Sequence, residues 1–116
     1  MATRREAIEA IVAELRKPGY GHIMVVSPNH MRSVVLQEDT RKAFSTISNL
    51  DYELKVASIV VGMRVANFIA GTKPERLAGY GQLDLLVVEE SRLLPVPVLS
   101  VIDGYAGAGV RVVFFS

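Results

Sequence analysis

The chain has 116 residues, with 13 Lys and Arg against 12 Asp and Glu, two His, and no Cys or Trp. That length bounds it to a single domain spanning 1–116, and a composition half apolar and 22% charged excludes intrinsic disorder. The absence of Cys excludes a disulfide scaffold, a Cys-based zinc site and a thiol nucleophile, and a net charge of +1 excludes a strong sequence-independent hold on nucleic acid.

Thr3 to Arg16 reads as an amphipathic helix, with Ile8, Ile11, Val12 and Leu15 on one stripe. Thr3 and Glu6 form a capping-box pattern at its start, and Lys17-Pro18-Gly19 ends it. His22–Ser27 is a buried strand stopped by Pro28-Asn29. Met31 to Ile47 is a second helix, with Leu36, Thr40, Ala43, Phe44 and Ile47 on its apolar face, followed by a polar break at Ser48–Asp51. Val56–Val61 and Val65–Ile69 are two strands joined through Gly62-Met63, a pair suited to a type II′ turn.

Lys73–Leu77 is a helical turn with Pro74 in its first turn, and Gly79 and Gly81 close it. Leu83–Val88 is the most apolar strand, running into Glu89-Glu90. Val96 to Tyr105 is a short helix stopped by Gly104, Gly107 and Gly109, and Val110–Phe115 is the last strand. Helices alternating with nearly continuous apolar strands predict an α/β fold: a mostly parallel open sheet flanked by helices on both faces, with one antiparallel hairpin.

The chemistry concentrates at Glu89-Glu90-Ser91. A buried strand that delivers two consecutive carboxylates at its C-terminal end is a device of phosphoryl-transfer motors: one carboxylate holds Mg²⁺ through water and the next polarises the attacking water. In an open α/β sheet, ligands bind at the carboxyl ends of the strands. The competing reading is a solvated strand end.

Read in order, the segments resemble the ATPase core of viral terminase large subunits and, more loosely, the DEAD-type helicases. Ala7–Leu15 followed by Pro18–Asn29 is similar to the helix after the phosphate loop and the next strand, with its apolar-small-Pro ending. Val65–Gly71 resembles the strand ahead of Walker B, Glu75–Gly79 a Leu-Arg-Gly-type turn, Leu83–Ser91 Walker B itself, and Arg111–Ser116 the strand leading to the coupling motif. The resemblance implies a partial three-layer P-loop NTPase-like sandwich. It also implies Glu89 as the metal-site carboxylate, Glu90 as the general base, and Thr3 and Ser116 beside the nucleotide.

Two departures qualify it. Glu89 stands where the family has Asp, and no Gly-x-x-x-x-Gly-Lys-[Ser/Thr] loop occurs. Thr3 falls at the place of that loop's Thr, and Ala2 at the place of its Lys. The resemblance therefore implies a truncated or degenerate core of the DNA-packaging type: Mg-ATP would belong to a complete parent protein, none is expected to bind tightly to this chain alone, and unaided turnover is not expected. Loss of the phosphate-loop strand would also leave the last strand, with Val112, Val113, Phe114 and Phe115, at a bare edge. That edge predicts a homo-oligomer, or a partner that supplies the missing strand.

The alternative is a stand-alone α/β interaction or regulatory protein acting through that edge or docking onto a motor. DNA contact is expected to be weak, because Glu6, Glu9, Glu38 and Asp39 offset Arg4, Arg5, Arg16, Lys17, Arg32, Arg41 and Lys42. His22 and His30 lack a third partner at metal-ligand spacing, and no nucleophile elbow surrounds Ser27, Ser91 or Ser116. The Gly-rich segments at 79–81 and 104–109 do not open a helix after a strand, as dinucleotide binding requires. No membrane partner is expected, since no apolar run nears the roughly 18 residues of a span, and a cytoplasmic location is the default.

Overall fold

Strands that bury both faces carry unbroken apolar runs, and here successive side chains of each run divide between two cores. The computed structural model describes residues 1–116. In chain order the elements are α1 (Arg4–Leu15), β1 (Gly21–Ser27), α2 (His30–Ile47), β2 (Glu53–Leu54), β3 (Ser58–Val61), β4 (Arg64–Ala70), β5 (Leu85–Glu89), α3 (Val96–Gly107) and β6 (Arg111–Phe115), with 3₁₀ turns at Pro74–Arg76 and Ser91–Leu93. The six strands form one sheet in the order β2-β3-β4-β1-β5-β6. β4, β1, β5 and β6 run parallel, and β2 and β3 pair antiparallel at one end. No helix is long and apolar enough to cross a membrane.

On one face α1 and α2 cover the sheet. Ala7, Ile11 and Leu15 of α1 and Leu36 and Phe44 of α2 pack on Ile23, Val25, Ile59, Phe68, Leu85, Val87 and Phe115. On the other face α3 supplies Val98 and Ile102, and the β4–β5 connection supplies Leu77 and Leu83, against Met24, Val26, Leu86 and Val88. The α/β fold read from the sequence is therefore the fold observed, three-layered and mostly parallel.

Local chemistry accounts for most boundaries. Thr3 Oγ1 accepts the Glu6 amide (3.1 Å) while Glu6 Oε1 accepts the Thr3 amide (3.0 Å), a complete capping box. Asn29 caps α2 through the Arg32 amide (2.9 Å). Gly62 has φ +60° with no positive φ at Met63, as the II′ hairpin requires.

Five expectations need correction. β2 was not foreseen; two residues long and exposed, it has no periodicity to read. β3 begins at Ser58 rather than Val56, because the chain turns there (Lys55 N–H to Ser58 O, 2.9 Å) and leaves Val56 96% exposed. β5 begins at Leu85; before it, Asp84 is held by His22, whose amide donates to its carboxylate (2.7 Å). α3 runs through Gly104 to Gly107, its ladder continuing with Ala108 N–H to Gly104 O (3.1 Å), and Gly109 at φ +91° is the actual stop. Ile47, the last residue of the 18-residue α2, is half exposed and not on the buried stripe.

Candidate functional site

β1 leads into α2 on one face of the sheet, and β5 leads toward α3 on the other. The chain thus departs in opposite directions from two neighbouring strand tips, which is the topological switch point where open α/β sheets hold ligands. The tips are Ser27 on β1 and Glu89 on β5, one residue past the Val26–Val88 rung. By alternation with Val25 and Val87, both side chains lie on the α1/α2 face.

Glu89 is the last residue of β5, and its side chain is 8% exposed. Arg4, the first residue of α1, donates from Nη1 to Glu89 Oε2 (3.1 Å) and from Nη2 to Asp39 Oδ2 on α2 (2.9 Å). The guanidinium therefore bridges two carboxylates from different elements. Glu89 Oε1 and Ser27 Oγ are both buried and have no hydrogen-bond partner.

Glu90 follows at φ 48°, ψ 58°, the only non-glycine residue with positive φ. Left-handed backbone costs a residue with a Cβ about 1–2 kcal/mol, and such strain collects at functional turns. It sends the second carboxylate elsewhere: Glu90 Oε2 accepts from Arg92 Nε (3.1 Å), and the Glu90 amide donates to Phe115 O (2.9 Å). Glu90 and Ser116 line one depression of about 240 Å³ with Met1, Ser91 and Arg92. Ser116 Oγ lies 3.3 Å from Met1 Sδ.

The acid pair thus sits at the carboxyl rim, as the sequence implied, but the two acids share no partner. Glu89 is tied through Arg4 to Asp39, and Glu90 shares its depression with Ser116. Thr3 lies beside the first group, at the entrance of α1, where its hydroxyl is taken by the cap.

The amide end of a helix attracts phosphate through its free N–H groups. Here the Glu6 carboxylate already sits at the entrance of α1, and the hydrogen bond from the Thr3 backbone amide holds its pKa below the usual carboxylate range. A triphosphate would meet that negative charge. No group of three or more His, Cys, Asp or Glu converges to hold a metal.

Arg4, as the partner of the acidic tip and its bridge to Asp39, escaped the sequence reading. Arg4 and Glu89 are 85 positions apart, and Arg4 looks like any basic residue on a helical face. Of the other basic residues, Arg5 pairs with Glu9 and Arg41 with Glu38, two of the acids that reading named, while Lys17 pairs with Glu14. His22 Nε2 accepts from the Asn67 side-chain Nδ2 (2.7 Å), and its ring packs edge-on to Tyr80, at the opposite end of the strands from the acid pair.

β6 is the last strand of the sheet. On its outer side only Ala2 pairs with it, in an isolated parallel bridge to Phe115 with the Ala2 amide on Phe114 O (3.0 Å). The bare edge is therefore present along Arg111–Val113, while Phe115 itself is buried.

No family model matches the chain, and no curated protein does. Solved structures do. The large terminase ATPase domain of Thermus phage P74-26 superposes with a TM-score of 0.77 at 12% identity, over 97% of this chain and 54% of that one. The large terminase of another thermophilic bacteriophage gives 0.70 at 10% identity, over 97% of this chain and 30% of that one. The same enzyme in complex with ADP gives 0.63 at 11% identity, over 94% and 29%. The chain has the fold of these ATPase domains and spans about half the length of the first.

Proposed function

We propose that this chain is a degenerate module of the terminase ATPase core, related to viral DNA packaging and unable to turn over ATP by itself. Its fold and the acidic tip of β5 beside the switch point support the kinship. The observation that supports the lack of turnover is that the chain's own side chains already engage both places where the resemblance would put nucleotide contacts. Glu6 closes the amide end of α1, and Arg4 holds Glu89. Glu89 and Glu90 are then residual counterparts of a metal-site carboxylate and a general base, with Thr3 and Ser116 the residual nucleotide contacts.

The test is thermal unfolding of the chain with and without Mg-ATP, alongside a phosphate-release assay. The expected result is no shift and no release above a Glu90→Gln control. A ligand at 100 times its Kd would stabilise the fold by about 2.7 kcal/mol; a shift of that size, or Glu90-dependent release, would overturn the proposal.

A second reading is favoured by the outer edge of β6. Unpaired strand edges recruit strands from other chains, and here Ala2 has begun a parallel ladder without extending it along Arg111–Val113. We propose an interaction role through this edge, by self-association or by a partner's strand. Light scattering over a dilution series is expected to show dimers or larger species at high concentration; monomer at every concentration would reject self-association.

A further inference from the structure

We propose that the cleft between α2 and the outer edge of β4 binds a small organic anion, a carboxylate or phosphate monoester that carries a hydroxyl and an apolar group. The cleft is separate from the acidic tip, since β1 stands between β4 and β5. It requires nothing of the ATPase-core reading.

The cleft exists because β3 is shorter than β4. Their register ends at Ser58–Asn67, and past it the outer edge of β4 keeps one bond, Phe68 N–H to Ala57 O at 2.8 Å. β4 itself continues to Ala70, paired with β1 on its other side. The volume left open is about 330 Å³, within the range of small-molecule sites. Val34 and Phe68 give it apolar walls. His30, Ser33 and Gln37 line it from one stripe of α2, and Arg76 and Tyr80 from the β4–β5 connection.

Two buried side chains there have capacity that the chain does not use. Ser33 is 5% exposed, yet its hydroxyl makes no hydrogen bond; only its amide is engaged, on Asn29 O at 3.1 Å. Gln37 is 7% exposed, and its Nε2 donates to Lys55 O (2.9 Å) and Ser58 O (3.3 Å), which leaves Oε1 without a donor. Buried polar atoms almost always find partners. Neither oxygen is sealed off as Ser27 Oγ and Glu89 Oε1 are, so both remain open to the cleft they line.

Charge sets the sign of the ligand. No Asp or Glu lines the cleft, whereas Arg76 does, with no carboxylate in salt-bridge distance. The first turn of α2 also holds no acidic residue, so its free amides add to the attraction for an anion. Arg76 and Ser33 Oγ then donate to the anionic head, Gln37 Oε1 accepts from the ligand's hydroxyl, and the apolar group lies on Val34 and Phe68.

The test is amide chemical-shift titration of the full chain with mandelate, phenyl phosphate and inorganic phosphate. Mandelate or phenyl phosphate is expected to shift the His30 and Ser33 amides and the Gln37 side-chain amide, and the tighter of the two identifies the head group. Inorganic phosphate should bind at least about tenfold more weakly, since it leaves the apolar walls wet. Arg76→Gln and Ser33→Ala should each weaken the organic anion about tenfold. Lys73→Gln, at an exposed position of the same connection outside the cleft, should change it little. Arg76 is exposed, so its variant keeps the fold and the test does not hang on Ser33→Ala. No shift with either organic anion would overturn the proposal. So would inorganic phosphate binding as tightly, or a loss in Lys73→Gln equal to that in Arg76→Gln. Neither organic probe is a nucleotide and neither variant touches Glu89, so failure here is separable from failure of the ATPase-core reading.

Discussion

Replacing Glu14 with alanine is expected to cost about 3–5 kcal/mol, the range for breaking a buried ion pair by removing one partner. Arg64 is 5% exposed, on the α1/α2 face at the amino end of β4, and its Nη2 lies 3.1 Å from Glu14 Oε2. Its other bonds go to backbone carbonyls, Tyr20 O at 2.8 Å and Pro18 O at 3.3 Å, and its Nε has no partner. With Glu14 gone, the guanidinium keeps its charge in a dry site and loses its only carboxylate. Truncating Arg64 should cost less, because Lys17 Nζ still reaches Glu14 Oε1 at 2.6 Å.

Gly21 reports on the same packing. A Cβ there would stand 2.2 Å from Arg64 Cζ, so Gly21→Ala should destabilise the wild type and be far milder in an Arg64→Ala background. Urea unfolding of the variants measures all of this. A loss under about 1 kcal/mol for Glu14→Ala, the level of an exposed pair, would show that this bridge does not hold α1 to the sheet.

Phe115→Ala is the second large effect, about 3–5 kcal/mol, as for other buried Phe truncations. Phe115 is 1% exposed and is the only buried side chain of β6. It packs into the α1/α2 core, and its carbonyl receives the Glu90 amide at 2.9 Å. Losing the ring removes the anchor of a strand that is paired along one side only. Besides the drop in urea midpoint, amide exchange in β6 should rise well above that in β5, which lies between two partners. If β6 amides remain as protected as those of β5, the edge strand is held by its ladder and the argument for an open, recruitable edge weakens. Phe114→Ala, at a side chain 37% exposed, serves as the mild control.

Burial periodicity and capping were legible without coordinates because both are local. Thr3 and Glu6 announce the start of α1 within four residues, and runs such as Leu85–Val88 announce a strand covered on both faces. The order of the apolar segments was enough to point to a terminase-like architecture at an identity of only 10–12% with the solved neighbours. Such an order reflects which faces must be buried, and many different side chains can bury them. β2 was not legible, since a two-residue strand exists only through its partner β3.

Residue order settled the elements, their caps and the location of an acid pair at a strand end, since each depends on spacing within a few residues. Tertiary structure alone decided that Glu89 turns inward to Arg4 and Asp39 while Glu90, twisted to positive φ, turns toward Arg92 and Ser116. It also decided that Glu14 closes on Arg64 from 50 positions away. Those choices depend on charges meeting across elements in a low-dielectric interior, where the nearest counter-ion is set by packing and not by distance along the chain.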